Sequence, residues 1–433
     1  MTEECPCGFH FPLKTIFVAI HLVVWGLLSL RGTRRAFQLF GEWFSGDLPC
    51  HTVIQNWVLR LGLHKLRKGA TRRQDWVYIL DHTIEFGKKK CLVVLGITLE
   101  RFRANQCKVS HRDVEVLGIG ITERADAASV EAELRRIAAV CGVPVQILSD
   151  KGSNIKKGVS DFVGTSAIRH THDVTHKAAL ILEQQLKHDE SWQRFITCAC
   201  DAKRGLIHTA LAFAAPPKPK DKARWVNLDT YVKWADMALA WEKEIHREEE
   251  HKLFKIRLSW LHEFEKQLVE WRLMLDILTA LKDEVRNHGL SRDTQERFLQ
   301  KIRTMTIATP RVAQVRDDAL AYLAAECAGF ADAHPGCSDI IESIFGKYKL
   351  FSGKSPMKEI GKAVLSIPVF TGHTTREEVK TAMESVSAKE VNAWLAQNLG
   401  SSLFSKRKKA FKLLKTKNQV KKFPKNLKKV ASF

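Results

Sequence analysis

At Gln74 the hydrophobic pattern of the chain changes from helical spacing to short apolar runs bounded by turns. Residues 76–80 (WVYIL), 91–99 (CLVVLGITL) and 114–121 (VEVLGIGI) follow one another as strand candidates, the first joined to the second through Phe86-Gly87-Lys88. Helical spacing returns over residues 127–140 (AASVEAELRRIAAV), with a stop at Gly142. Residues 145–148 then read as a fourth strand, 167–170 as a short fifth and 174–186 (VTHKAALILEQQL) as a helix. The order β-β-β-α-β-α-β-α predicts an α/β fold with a mixed five-stranded sheet flanked by helices.

Helices are expected on both sides of this block. Residues 1–70 read as short helices. In the third of them, residues 49–61 (PCHTVIQNWVLRL), Ile54, Trp57, Val58 and Leu61 share one face, and His51, Thr52, Gln55 and Arg60 lie nearer the other. Such a polar set suits groove edges and phosphates, which makes residues 1–70 a candidate helix-turn-helix domain; the plainer alternative is a helical subdomain whose polar face meets water. Beyond Lys187 the strand signal fades, and residues 228–285 read as charge-laced helix with tryptophans at 234, 241, 260 and 271. Most of these tryptophans are expected to pack between helices.

The 433 residues carry a formal net charge of +21. Residues 401–433 hold twelve Lys and Arg and no acid, so the rest of the chain has 57 basic against 48 acidic residues, or +9. An anionic polymer is the expected partner, with Lys406, Arg407, Lys408 and Lys409 opening a salt-sensitive, sequence-independent grip. The ten cysteines are scattered without C-x-x-C spacing, which argues for a reducing compartment, cytosol or nucleoid, rather than a disulfide framework. Cys5, Cys7 and His10 have zinc-ligand types but no second pair, so no zinc is assigned. Residues 15–30 (TIFVAIHLVVWGLLSL) would cover about 24 Å as a helix, short of the roughly 30 Å hydrocarbon core, so a buried helix is expected and no membrane contact.

Three acids stand where such a sheet would bring them together. Asp81 follows the first strand (ILDHT), Asp150 the fourth (ILSDKGSN), and Glu342 opens a helix after the helical block (IIESIFGKYK). Carboxylate oxygens suit Mg²⁺, and two such ions about 4 Å apart can clamp the attacking and leaving oxygens of an in-line phosphoryl transfer. One Asp at a strand end is more often a turn residue, so the case rests on the combination.

The succession ILDHT, ILSDKGSN, RHTHDVTHKAAL and IIESIFGKYK resembles the DDE transposases of the RNase H-like superfamily over about residues 40–370. Asp173-Val174-Thr175-His176 matches the C/D-x-x-H motif of hAT, Mutator-like and related insertion-sequence transposases, and Glu342 with Lys349 matches an E-x6-K signature of several bacterial ones. The resemblance implies an RNase H-like catalytic domain in two parts, 71–187 and 339–400, an all-α insertion over 188–338, an N-terminal DNA-binding domain over 1–70 and a basic tail over 401–433. It implies that Asp81, Asp150 and Glu342 bind two Mg²⁺, with Mn²⁺ as a substitute. Asp173 and His176 would order the insertion against the site, and Lys349 would touch a phosphate. The implied activity is cleavage of transposon ends and strand transfer into target DNA by a homodimer or larger assembly, in the nucleus if the host is eukaryotic. Glu183, 33 residues after Asp150, is a rival third acid; without an insertion the helical block would be an appended domain. Two other functions stay open, a transposase-derived DNA-binding protein that does not cut and an RNase H-like nuclease on structured nucleic acid.

Overall fold

The computed structural model describes residues 4–41, 47–218, 228–307, 309–353 and 357–416. The chain opens with helices α1 (Leu13–Val24), α2 (Leu30–Leu39) and α3 (His51–Lys68) and then enters the strands β1 (Trp76–Ile84) and β2 (Lys90–Thr98). A short α4 (Leu99–Ala104), β3 (Glu115–Thr122), α5 (Ala127–Cys141), β4 (Gln146–Ser149), α6 (Ser153–Val163) and β5 (Arg169–His172) complete the sheet. Its spatial order is β3-β2-β1-β4-β5. The first three strands form an antiparallel meander, and β4 and β5 add in parallel on the other side of β1. The mixed five-stranded sheet predicted from the period change is therefore present.

Alternation along the strands feeds two cores. Trp76, Tyr78, Leu80, Leu92 and Val94 pack with Val130, Leu134 and Ile137 of α5 and Ile155 and Val159 of α6. Val77, Ile79, Val93, Leu95 and Leu148 face the opposite way, into a larger core. Both faces are covered, which is why these strands read as near-continuous apolar runs. In β3 the pairing slips, since Val94 opposes Gly118 and Leu95 opposes Val116, leaving Leu117 as a bulge.

Asp81 does not follow β1 but lies inside it. The strand runs on to Ile84 because β2 continues opposite as far as Lys90, with Asp81 paired to Val93. β5 is also displaced from the expected 167–170, its ladder with β4 running from Gln146–Arg169 to Ser149–His172.

From β5 the chain leaves the sheet through α7 (Val174–Leu186), α8 (Glu190–Leu206), α9 (Leu228–Glu242), α10 (Glu248–Arg257), α11 (Glu265–His288), α12 (Thr294–Ile302) and α13 (Pro310–Cys327). Residues 228–285 are thus not one helix: breaks at 243–247 and a 3-10 segment, Ser259–Phe264, divide them. This all-α block has its own core, built round Trp192, Phe195, Phe264 and Trp271, with Trp192 and Trp271 crossing edge to face at 5.1 Å. Trp234 and Trp271 are buried, and Trp241 and Trp260 pack partly buried on the same core, so packing accounts for the series. α7, assigned by its sequence to the sheet, gives Val174, Ile181 and Leu186 to this core.

The chain returns through α14 (Asp339–Ser352), a 3-10 segment (Lys362–Phe370), α15 (Arg376–Ser385), α16 (Ala388–Leu399) and α17 (Leu403–Thr416). These elements and α1–α3 close over one face of the sheet in a single core. The first three helices therefore have no core of their own. α3 buries Ile54, Trp57, Val58, Leu59, Leu61 and Leu63, more than one face of the helix, so its middle lies inside this core. A Cβ on Gly62 would lie 1.6 Å from the Leu365 carbonyl oxygen, so the two backbones touch. Of residues 15–30, expected as one buried helix, only those up to Val24 form the buried α1, while Trp25 and Leu27 beyond it are exposed; no described helix is long and apolar enough to cross a membrane.

Candidate active site

Strand parity and register decide where the acids meet. Val77 and Ile79 of β1 face the core beneath α14, so alternation turns Asp81 to the same side. Leu148 of β4 also faces this core and is paired with Ile79. Asp81 lies two residues beyond Ile79, and Asp150 two beyond Leu148, just past the end of β4. At the end of β4 the chain turns at Lys151, whose φ is 53°, and Asp150 Oδ1 accepts the Gly152 N–H at 2.9 Å. α14 lies over this face with Ile341, Ile344, Phe345 and Tyr348 buried, which leaves Glu342 in its first turn on the open side.

The charges of Asp150 and Glu342 both act on Asp81. Burial, joined by the charge of Asp150, pushes the Asp81 carboxyl up to about 7; Glu342 acts in the same sense, while the His82 N–H at 2.6 Å and His176 oppose them. Burial also raises Glu342, against the pull of His176.

A second acid–base pair locks the point where the helical block leaves and rejoins the sheet. Asp173 is buried and caps α7, its Oδ2 accepting the His176 N–H at 2.8 Å and lying 2.9 Å from His176 Nδ1. Its Oδ1 accepts the Ser338 N–H at 2.6 Å, just before α14 begins. Hydrogen bonding to Asp173 holds His176 up at about 9 despite burial, and the protonated ring lies 3.6 Å from Glu342 through Nε2. The C/D-x-x-H pair thus connects departing helix, returning helix and third acid. Burial would raise Asp173, but its bonds from His176 and Ser338 leave it lowered.

The remaining candidates divide. Lys349 stands exposed two turns after Glu342 on α14. Glu183 pairs with Lys187 at 3.7 Å along α7, whereas Glu342 is among the charges acting on Asp81. Arg60, expected beside DNA, instead joins α3 to α15 by donating to the Val386 and Met383 carbonyls, and it lies over the Phe9 ring at 4.6 Å. This is a correction, and its cause is that α3 is central. His51 and Gln55 line a cavity of about 570 Å³ with Leu30 and Phe351, and only Thr52 of that set is exposed. Lys406, Arg407, Lys408 and Lys409 are exposed on α17, while 417–433 lie outside the described residues.

Sequence reading missed the residues just before α14. Asp173, Cys337 and Asp339 are the one group of three or more described His, Cys, Asp or Glu whose ligand atoms lie within 4.8 Å of one another. They are already engaged: Asp339 accepts from Thr175 at 3.0 Å and from Arg286, and Asp173 from Ser338 and His176. This is a hydrogen-bonded staple across the seam. The C-S-D triplet preceding IIES was its only trace in the sequence.

Asp81, Asp150 and Glu342 offer oxygens alone, the donor type that suits Mg²⁺, and Asp81 is destabilised as a carboxylate by burial and by Asp150, but their ligand atoms do not all lie within 4.8 Å of one another. No protein-family model matches the chain, and no curated protein does. Among solved structures, the chain is similar to the Drosophila P element transposase strand transfer complex, at 13% sequence identity and a TM-score of 0.38, with 88% of this chain and 94% of that one covered.

Proposed function

We propose that this chain is a DDE-type transposase, which binds the ends of a DNA element, cleaves them and transfers the freed strand to target DNA. The observation that supports the proposal is that Asp150, just past the end of β4, and Glu342, from a helix more than 150 residues later in the chain, both act electrostatically on Asp81 of the neighbouring strand β1. Asp81, Asp150 and Glu342 would hold two Mg²⁺, which when bound supply Lewis acidity at the attacking and leaving oxygens of the phosphodiester. The protein's own part is positional. The sheet fixes Asp81 and Asp150, and Asp173 through His176 sets the height of Glu342. Lys349, about 10 Å further along α14, offers an ammonium to a phosphate next to the one that reacts. A homodimer or larger assembly follows from two ends being processed together.

Incubating the full chain with supercoiled plasmid carrying candidate ends, with Mg²⁺ or Mn²⁺, tests this directly. Nicking followed by joining supports the transposase. Nicking without joining would favour a nuclease on structured nucleic acid, and binding without nicking a DNA-binding protein.

A further inference from the structure

The face that carries the acids continues beyond them. Glu342 acts on Asp81 near the start of α14, and Ser352 at its end donates to Glu85, four residues after Asp81 and just past the end of β1. Helix and strand therefore run side by side in the same direction, from the acids towards the β1–β2 turn. Lys349 lies on this route, exposed.

At the turn, three separate pieces of chain are joined. Gly87, at φ +103°, lies directly beneath Leu403 of α17, and a Cβ there would meet Leu403 Cδ1 at 2.9 Å. The Leu403 N–H donates to both carboxylate oxygens of buried Glu359, at 3.0 and 2.8 Å. The Phe86 N–H donates to the Lys358 carbonyl at 3.0 Å, and Lys89 donates to the Leu399 carbonyl. Helix α17 is thus seated on the hairpin tip.

This platform is basic and partly aromatic. Lys88, Lys406, Lys408 and Lys409 are exposed, and among the described residues none of the four is in an ion pair within 4.0 Å. Two acids stand beside Lys88 and Lys406, Glu359, which is buried and used internally, and the exposed Glu123. Phe86 is 62% exposed, a ring on a charged surface. Such a surface, continuous with a phosphoryl-transfer site, matches the phosphate backbone of DNA with an aromatic face on offer to an unpaired base.

We propose that the hairpin tip and α17 form one track, entered past Lys349, that holds the DNA duplex to one side of the reacting phosphate. The proposal rests on the transposase reading for where the track begins. From Asp81 to Phe86 is five residues, about 17 Å of extended chain, which at about 3.4 Å per step is about five base pairs.

The test uses the full chain and the triple variant Lys88→Ala, Lys408→Ala, Lys409→Ala, all three being exposed side chains. Affinity for a plain 30-base-pair duplex is measured between about 50 and 300 mM salt. The expected result is a slope of log K against log salt that is shallower by up to about 2.7, three phosphates at about 0.9 each. An unchanged slope overturns the track, whether or not the protein cuts. A change seen with anionic phosphatidylserine vesicles and not with DNA overturns DNA as the occupant. For cutting substrates, duplex shortened to three base pairs on one side of the nick should lose affinity in the native chain and not in the triple variant; equal loss in both overturns the placement. Failure of the native chain to nick with either metal counts against the transposase reading alone, since the salt slope still judges the track.

Discussion

The sheet body and the helical block are built by opposite strategies. The block, from α7 to α13, is one continuous stretch whose core of tryptophan and phenylalanine is filled by neighbours in sequence. The body takes its core from α1–α3, the sheet and α14–α16, pieces separated by the whole block. Local contacts let a segment fold on its own terms, while a body assembled from distant segments waits for its last part. The candidate site lies where the two meet. Asp81 and Asp150 belong to the body before the chain leaves, Asp173 and His176 to the departure, and Glu342 to the return. Correct closure of the block is therefore a condition for completing the site.

The largest effect should come from the acids themselves. Asp81→Asn and Asp150→Asn are expected to reduce Mg²⁺-dependent nicking by at least about 1,000-fold, equivalent to about 4 kcal/mol of barrier, with end binding near normal. Asp81→Asn should leave the melting temperature equal or higher, because it removes a carboxylate penalised by burial and by Asp150. Loss of DNA binding in both variants would mean that these residues support the body rather than the chemistry.

The comparison itself can be broken by truncating one core. Trp271 is fully buried at the centre of the block, and Trp271→Ala should cost about 3–5 kcal/mol. If block and body are separate cooperative units, calorimetry will show one transition lowered and the other kept. A single transition moved as a whole would mean that the seam couples them.

That seam is the subject of a smaller, sharper test. Asp173→Ala leaves the Ser338 N–H and His176 without their shared partner, an expected loss of about 2–4 kcal/mol. Nicking should fall with it even where the protein remains folded. Asp173→Asn keeps one oxygen and should recover part of the stability and less of the nicking, because an amide does not hold His176 protonated as a carboxylate does. Equal recovery of both would make Asp173 only structural.

How far this was legible from sequence depends on what fixes each feature. The succession of strands up to β5 follows from local apolar runs, turn residues and caps, although β1 runs on past Asp81, β5 begins two residues later than expected and the short α4 left no signal. Asp81, Asp150 and Glu342 were named from short motifs, and parity and register then give physical grounds for placing them on one face. What the sequence did not carry was long-range. The polar face of α3 looked solvent-directed at Arg60, but its partners, Met383 and Val386, lie more than 320 residues away. Asp173 read as part of a motif, while its bond to Ser338 needs the block to be folded first.

The smallest effect expected is on acid stability, and it should separate body from block. His170 and His172 stand on β5, and burial holds them down to about 3 and about 4, with Lys151 acting in the same sense. Unfolded histidine titrates near 6.5, so below that pH the unfolded chain binds protons that the folded chain refuses. The rings' share of stability is therefore whole above about pH 6.5 and is lost as pH falls from there toward 4, by up to about 1.4 kcal/mol per pH unit for each ring. Asp81 on the same sheet, held up to about 7, has the opposite sign and offsets about one ring, so the body's transition should fall by the share of one ring between pH 6.5 and 5 while the block's stays nearly level. His170→Gln, which keeps a polar partner for the Ser149 hydroxyl now 2.8 Å from the ring, should remove most of the decline. A decline of the same steepness in that variant would place the acid sensitivity in other groups, and a parallel fall of both transitions would show that the block titrates with the body.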